Sequence, residues 1–189
     1  MNQRVAVLCV APNSIYKTLP DVDVYDKGRD VRTFMGGAPV VAHPPCRAWS
    51  AYTRHQAKPE PGEAELGLIC AEHLRREGGV LEHPAHSRLF DAAGLPKPGK
   101  RIGDLFTVPV LQAWWGYSMR KATWLCFCNV NIRELEVPYV EHDSRAGLGD
   151  RRRQQVMSKH QRAATVEPLA RWLVDVARGA ARHSMGAAA

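Results

Sequence analysis

No stretch of this 189-residue chain is apolar over the length a membrane span needs. The N-terminal apolar run, Val5 to Ala11, covers only seven residues and reads as a first strand, not a secretory leader. The cysteines are five, an odd number, at positions 9, 46, 70, 126 and 128, too sparse for a disulfide framework. Together these absences point to reduced thiols in a cytoplasmic protein without membrane contact. Cys-x-x-Cys pairs are also missing. A zinc reading of His43, Cys46, His83 and His86 with Cys126 and Cys128 therefore lacks the usual spacing, and Cys126 and Cys128 fit better on the packed face of a strand. There is no internal repeat and no low-complexity linker, which leaves one continuous domain over 1–178 and a frayed small-residue tail over 179–189.

Acidic residues are outnumbered. Nineteen Asp and Glu face 26 Lys and Arg, for a formal net charge of +7 and a pI near 9.4. Such a balance favours a polyanionic partner, DNA or a nucleotide. The positive charge clusters at Arg151, Arg152 and Arg153, followed by Lys159, His160 and Arg162. Arg47, Lys121, Arg151–Arg153 and Lys159 are the candidate phosphate contacts.

Short β-branched runs predict strands at Val5–Val10, Val22–Tyr25, Val40–Ala42 and Val80–Glu82. Two more are predicted at Phe106–Gln112 and Ala122–Val130, close enough to form an antiparallel pair at one side of the sheet. Helical spacing predicts a helix over Glu63–Arg76 that ends at Gly78-Gly79, a short one over Ser87–Ala93, and an amphipathic one over Val166–Arg178. Gly94–Gly103 reads as a loop, and Trp114–Ser118 as a connection. Strands separated by helices predict an α/β sandwich with a mostly parallel sheet.

Two of the predicted strands stop in the same way. In "VVAHPPCRAW" (40–49), the apolar run meets His43-Pro44-Pro45-Cys46. In "VLEHP" (80–84), it meets Glu82-His83-Pro84. Proline removes a ladder N–H and fixes φ, so each strand ends in a stiff extended elbow. The carboxyl edge of an open α/β sheet is where ligands bind. If the two strands are neighbours, a thiol and a carboxylate face one cleft. A pyrimidine becomes nucleophilic at C5 once a thiolate adds at C6, and an acid on the ring nitrogen eases that addition. Arg47, Arg120 and Lys121 are candidates for the cation that steadies the thiolate. Asp26, at the end of the second strand, stands where an acidic residue often contacts a cofactor ribose. Trp49, three residues after Cys46, is a candidate for stacking on a base.

These stretches also carry a resemblance. "AHPPCRAWS" resembles the Pro-Pro-Cys motif of cytosine-C5 DNA methyltransferases. "VLEHP" resembles their Glu-Asn-Val strand. "WGYSMRKATWL" is similar to their later motif, in which an arginine-bearing turn precedes a strand. Over roughly residues 20–178 the chain further resembles a set of short phage and prophage proteins of methyltransferase type. The resemblance implies a Rossmann-like domain in a bacterial host cytoplasm, with Cys46 as the nucleophile on C6, Glu82 as the base-binding carboxylate and Arg120 in support. His43, Pro44, Pro45, Trp49 and His83 would line the base pocket. It also implies S-adenosylmethionine, yet the family's glycine-rich Phe-x-Gly-x-Gly loop is replaced by "APNSIYKTL". His83 stands where the family has asparagine, and there is no room for a full target-recognition domain. The donor is thus left as S-adenosylmethionine bound differently, another one-carbon donor, or a group supplied by a partner protein. The expected function is pyrimidine modification in DNA or a nucleotide. The alternative is a nucleic-acid-binding protein of the same fold that lost the chemistry and protects DNA or binds a host factor.

Overall fold

The computed structural model describes residues 3–51, 57–117, 121–138 and 164–186. Seven strands make one sheet: β1 (Val5–Leu8), β2 (Val22–Val24), β3 (Val40–Ala42), β4 (Gly79–Pro84), β5 (Arg101–Ile102), β6 (Leu105–Leu111) and β7 (Ala122–Cys128). Their order is β2-β1-β3-β4-β7-β6-β5. β2, β1, β3 and β4 pair in parallel, whereas β4–β7, β7–β6 and β6–β5 are antiparallel. The sheet is thus mixed, with three pairings of each kind. β5 falls inside the stretch expected as loop. It has two exposed residues, so no burial alternation marks it in the sequence.

Helices cover both faces. α1 (Glu63–Glu77) and α2 (Leu89–Ala92) lie on one face, where Cys70, Leu74, Leu89 and Phe90 pack against Leu8, Val40, Leu81 and Cys126. α3 (Glu167–Gly186) covers the other, where Leu169, Leu173 and Ala177 pack against Val7, Val41, Val80, Leu125 and Phe127. The helix continues past Arg178 into the stretch expected to fray. Ala180, Ala181 and Arg182 are strong helix formers, and they outweigh Gly179. Cys126 and Cys128 do share one packed face, as their i, i+2 spacing requires.

The handover from α1 to β4 fixes the site's floor. Gly78 closes the helix with its N–H on the Leu74 carbonyl. Gly79 then adopts φ 117° against β3, and a Cβ there would overlap the Val40 backbone. The β3–β4 pairing that places the two proline-stopped ends side by side therefore depends on a residue without a side chain.

Candidate active site at the carboxyl edge of the sheet

Strand alternation builds this site. On β3, β4, β6 and β7 respectively, Val41, Val80, Val110 and Leu125 belong to the core beneath α3. Two residues on towards the same edge, the same faces carry His43, Glu82, Gln112 and Thr123. A polar row thus caps an apolar core where β3, β4 and β6 end. Gln112 opens a 3-10 turn, Gln112–Trp115, which turns its side chain back over the sheet edge. Tyr16 joins from another 3-10 turn, Ile15–Thr18, whose start is held by the Ser14 side chain.

The row is continuously hydrogen-bonded. His43 Nδ1 lies 3.0 Å from Glu82 Oε2, and His43 Nε2 lies 2.8 Å from the Tyr16 hydroxyl. Gln112 Nε2 donates to Glu82 Oε1 at 2.9 Å and to Thr123 Oγ1 at 3.1 Å. Thr123 in turn donates to the Lys121 carbonyl at 3.1 Å. Glu82 is 8% exposed and Tyr16 1%.

The charges follow from these contacts. Burial pushes the Glu82 carboxyl up, but the His43 hydrogen bond and the positive charge of Lys121 outweigh it and hold it at about 2. Glu82 is therefore ionised and can only accept, so His43 Nδ1 carries a proton and donates to it. Burial, and then the Glu82 charge, push the Tyr16 phenol well above its ordinary value. The phenol therefore keeps its proton. Gln112 Oε1 is buried with no hydrogen-bond partner among the described residues.

Cys46 is exposed on the loop after β3. Burial of the sulfur and the Glu82 charge raise its thiol above the ordinary value, while Lys121 pulls the other way. The loop is anchored on both sides. Arg47 grips Glu63 at the start of α1 through Nε (2.9 Å) and Nη2 (2.8 Å), and reaches Glu60 at 3.2 Å. Glu60 also pairs with Lys27 at 2.9 Å. Glu63 is 4% exposed and favoured at a helix N-terminus. On the other side the Trp49 carbonyl accepts from Arg88 N at 3.0 Å and from Ser87 Oγ at 3.4 Å.

The structure disposes the predicted residues unequally. Cys46, His43, Glu82 and Lys121 meet at one edge, with Pro44 and Pro45 as the bend between them. Trp49 is half-buried, its indole edge against Gly67 of α1, which makes it a packing anchor of the loop. His83 points to the face opposite Glu82 and is 1% exposed. Burial lowers its pKa to about 4, and neither ring nitrogen makes a well-formed hydrogen bond, although the Pro44 and Pro45 carbonyls favour the proton. Arg47 is engaged by carboxylates. Asp26 is engaged too: Lys17 lies 2.6 Å away, and the N–H groups of Gly28 and Arg29 donate to it at 2.8 and 3.1 Å. The Lys17 hydrogen bond and then these N–H groups lower the Asp26 carboxyl to about 2. Arg120, Arg151, Arg152, Arg153 and Lys159 lie outside the described residues. Among the described residues, no group of three His, Cys, Asp or Glu side chains could hold a metal ion.

Tyr16, Gln112 and Thr123 are the site residues that sequence reasoning did not single out. Gln112 carried a signal. Counting in twos from Phe106 through Val108 and Val110 puts a polar side chain in register with the core face. Tyr16 carried none beyond a serine cap, because its partner is 27 residues away. With this geometry in hand, comparison with protein-family models, with curated proteins and with solved structures finds no match to the chain.

Proposed function

We propose that the protein modifies a pyrimidine base of DNA, or of a nucleotide, through covalent attack by Cys46. The observation that carries this reading is the junction of the two proline-stopped strands. The loop bearing an exposed thiol and the strand bearing a buried carboxylate are neighbours, tied at their ends by the His43–Glu82 hydrogen bond. Cys46 Sγ adds to C6 of the ring, its proton passing to water. The ring nitrogen meets the Glu82 side of the site, where a proton neutralises the charge that addition pushes into the ring. Lys121, whose charge acts on both the thiol and Glu82, offsets the accumulating negative charge. A target within a duplex has to leave the stack first, since C6 is unreachable there. Arg120 and the Arg151–Arg153 run belong to this reading as a supporting arginine and as phosphate contacts.

We read the sheet as Rossmann-like and of methyltransferase type. In support, the strand order reverses direction at β1 and β3, and the antiparallel β7 lies between β4 and β6. The exit of β1 does not fit S-adenosylmethionine in the family's manner. Cys9, Val10, Ala11 and Pro12 stand where a glycine cradle is needed, and the Asp26 carboxylate is already taken by Lys17 and its own turn. The transferred group comes from S-adenosylmethionine held in another manner, from another one-carbon donor or from a partner protein.

The raised Cys46 thiol favours a second reading, a protein that binds nucleic acid without chemistry. Nucleoside mass spectrometry on DNA from cells expressing the wild type and Cys46→Ala separates the two. The enzyme reading expects a new mass on a pyrimidine nucleoside that the variant lacks. Unmodified DNA, with equal DNA binding by both proteins, selects the binder.

A further inference from the structure

The site as described has a missing proton. Glu82 is placed to protonate a ring nitrogen, yet it is an ionised carboxylate whose two oxygens already accept from His43 and Gln112. A group behind it has to supply the proton. Among the described residues, only His43 both touches a Glu82 oxygen and carries a transferable proton. Gln112 has none to give, and Thr123 reaches Glu82 only through Gln112.

We propose that His43 stores the proton that Glu82 hands to the ring nitrogen, and that the Tyr16 hydroxyl turns from donor to acceptor when His43 takes that proton up at Nε2. The proposal rests on the base-modification reading and extends it to two residues outside the thiol–carboxylate pair.

The geometry suits both states of the imidazole. In the neutral tautomer protonated at Nδ1, Nδ1–H donates to Glu82 and Nε2 accepts the Tyr16 O–H. When His43 is an imidazolium, Nδ1–H still donates to Glu82, and Nε2–H donates to the Tyr16 oxygen. A phenol both donates and accepts, so the 2.8 Å contact survives either way, and only the hydroxyl hydrogen turns. In the forward step the Nδ1 proton of the imidazolium passes to Glu82 Oε2 and on to the ring nitrogen as the sulfur–C6 bond forms. His43 is left as the neutral tautomer protonated at Nε2, the Tyr16 oxygen still accepting from it, until the adduct collapses. When the adduct collapses, the sulfur–C6 bond breaks and the ring nitrogen returns its proton through Glu82 to His43. No proton is gained or lost over the cycle. The charged and titratable groups facing Glu82 are His43, Tyr16, Lys121, His83 and the Cys46 thiol. Tyr16 keeps its proton throughout, and His83 is on the far face of β4.

Thiol addition at C6 makes the C5 hydrogen exchangeable, which gives a readout that needs no group donor. An oligodeoxynucleotide containing deoxycytidine and deoxyuridine is incubated in deuterium oxide with wild type, Cys46→Ala, His43→Asn and Tyr16→Phe, and the nucleosides are weighed. Asparagine keeps an N–H towards Glu82 but stores no proton. Wild type is expected to exchange with a bell-shaped pH profile, rising with thiolate and falling as His43 discharges. Cys46→Ala is expected to be inactive. His43→Asn is expected to be slower by on the order of a hundredfold or more and to lose the falling limb. Tyr16→Phe keeps the limb at a reduced rate. Exchange by His43→Asn at the wild-type rate, or with the falling limb intact, refutes the proton store while leaving Cys46 chemistry standing. Absence of Cys46-dependent exchange in the wild type overturns the base-modification reading and the store with it.

Discussion

Replacing Glu82 by glutamine should flatten the acid side of the stability curve. The carboxyl sits at about 2 in the folded protein against an ordinary 4.5. A folded value below the unfolded one means that ionisation stabilises the fold above the unfolded value, and that this contribution disappears as pH falls through the folded value. The window is therefore from pH about 5 down to about 2. The gap is worth up to about 3 kcal/mol. Because Glu82 is almost wholly buried, solvent screening takes little of this. Glutamine preserves length and hydrogen-bonding capacity but does not titrate. Urea titrations of wild type and Glu82→Gln at several pH values should show a difference of about 3 kcal/mol near pH 6 that shrinks towards zero near pH 2. Parallel curves, with the difference constant across that window, would refute the claim that His43 and Lys121 hold this carboxylate ionised.

Other perturbations follow from the same contacts. Arg47→Ala strips the guanidinium from buried Glu63 and should cost roughly 1–3 kcal/mol in urea unfolding, discounted because Arg47 itself is a third exposed. The same variant should speed labelling of Cys46 by a thiol reagent, because the loop loses its anchor. Gly79→Ala forces a side chain into the Val40 backbone at positive φ and should cost roughly 3 kcal/mol or more, seen as a lowered melting temperature or insoluble expression. Cys9 and Cys70 hold their sulfurs 3.6 Å apart, so hydrogen peroxide should remove both thiol hydrogens as water and lower the mass by about 2 Da, a change absent in Cys70→Ala.

How far the sequence announced the fold varies with how local the cause is. β3 was legible to the residue, because a β-branched run against two prolines leaves no other conformation. α1 was legible because Gly78-Gly79 stops a clear helical stripe. The neighbouring of β3 and β4 was stated only as a condition, and the pairing is a tertiary fact set by Gly79 and the register Val41 to Val80. β5 escaped because its two exposed residues bury nothing. In the site, Cys46 and Glu82 were visible as reactive residues on strand ends. The groups that set their ionisation were not. Tyr16 meets His43 from the turn between β1 and β2, and Gln112 meets Glu82 across β7. The packing of Trp49 beside Gly67 was not legible either, because a sequence cannot show the empty flank of that glycine.

The most direct test of the central claim is covalent capture. An oligodeoxynucleotide carrying pyrimidin-2-one, a ring more electrophilic at C6 than cytosine, is mixed with the protein, and the adduct is located by peptide mass mapping. A protein–DNA adduct on Cys46 is expected, absent in Cys46→Ala and slower to form in Glu82→Gln. No adduct, or one carried by Cys9 or another thiol at a rate indifferent to Glu82, contradicts it.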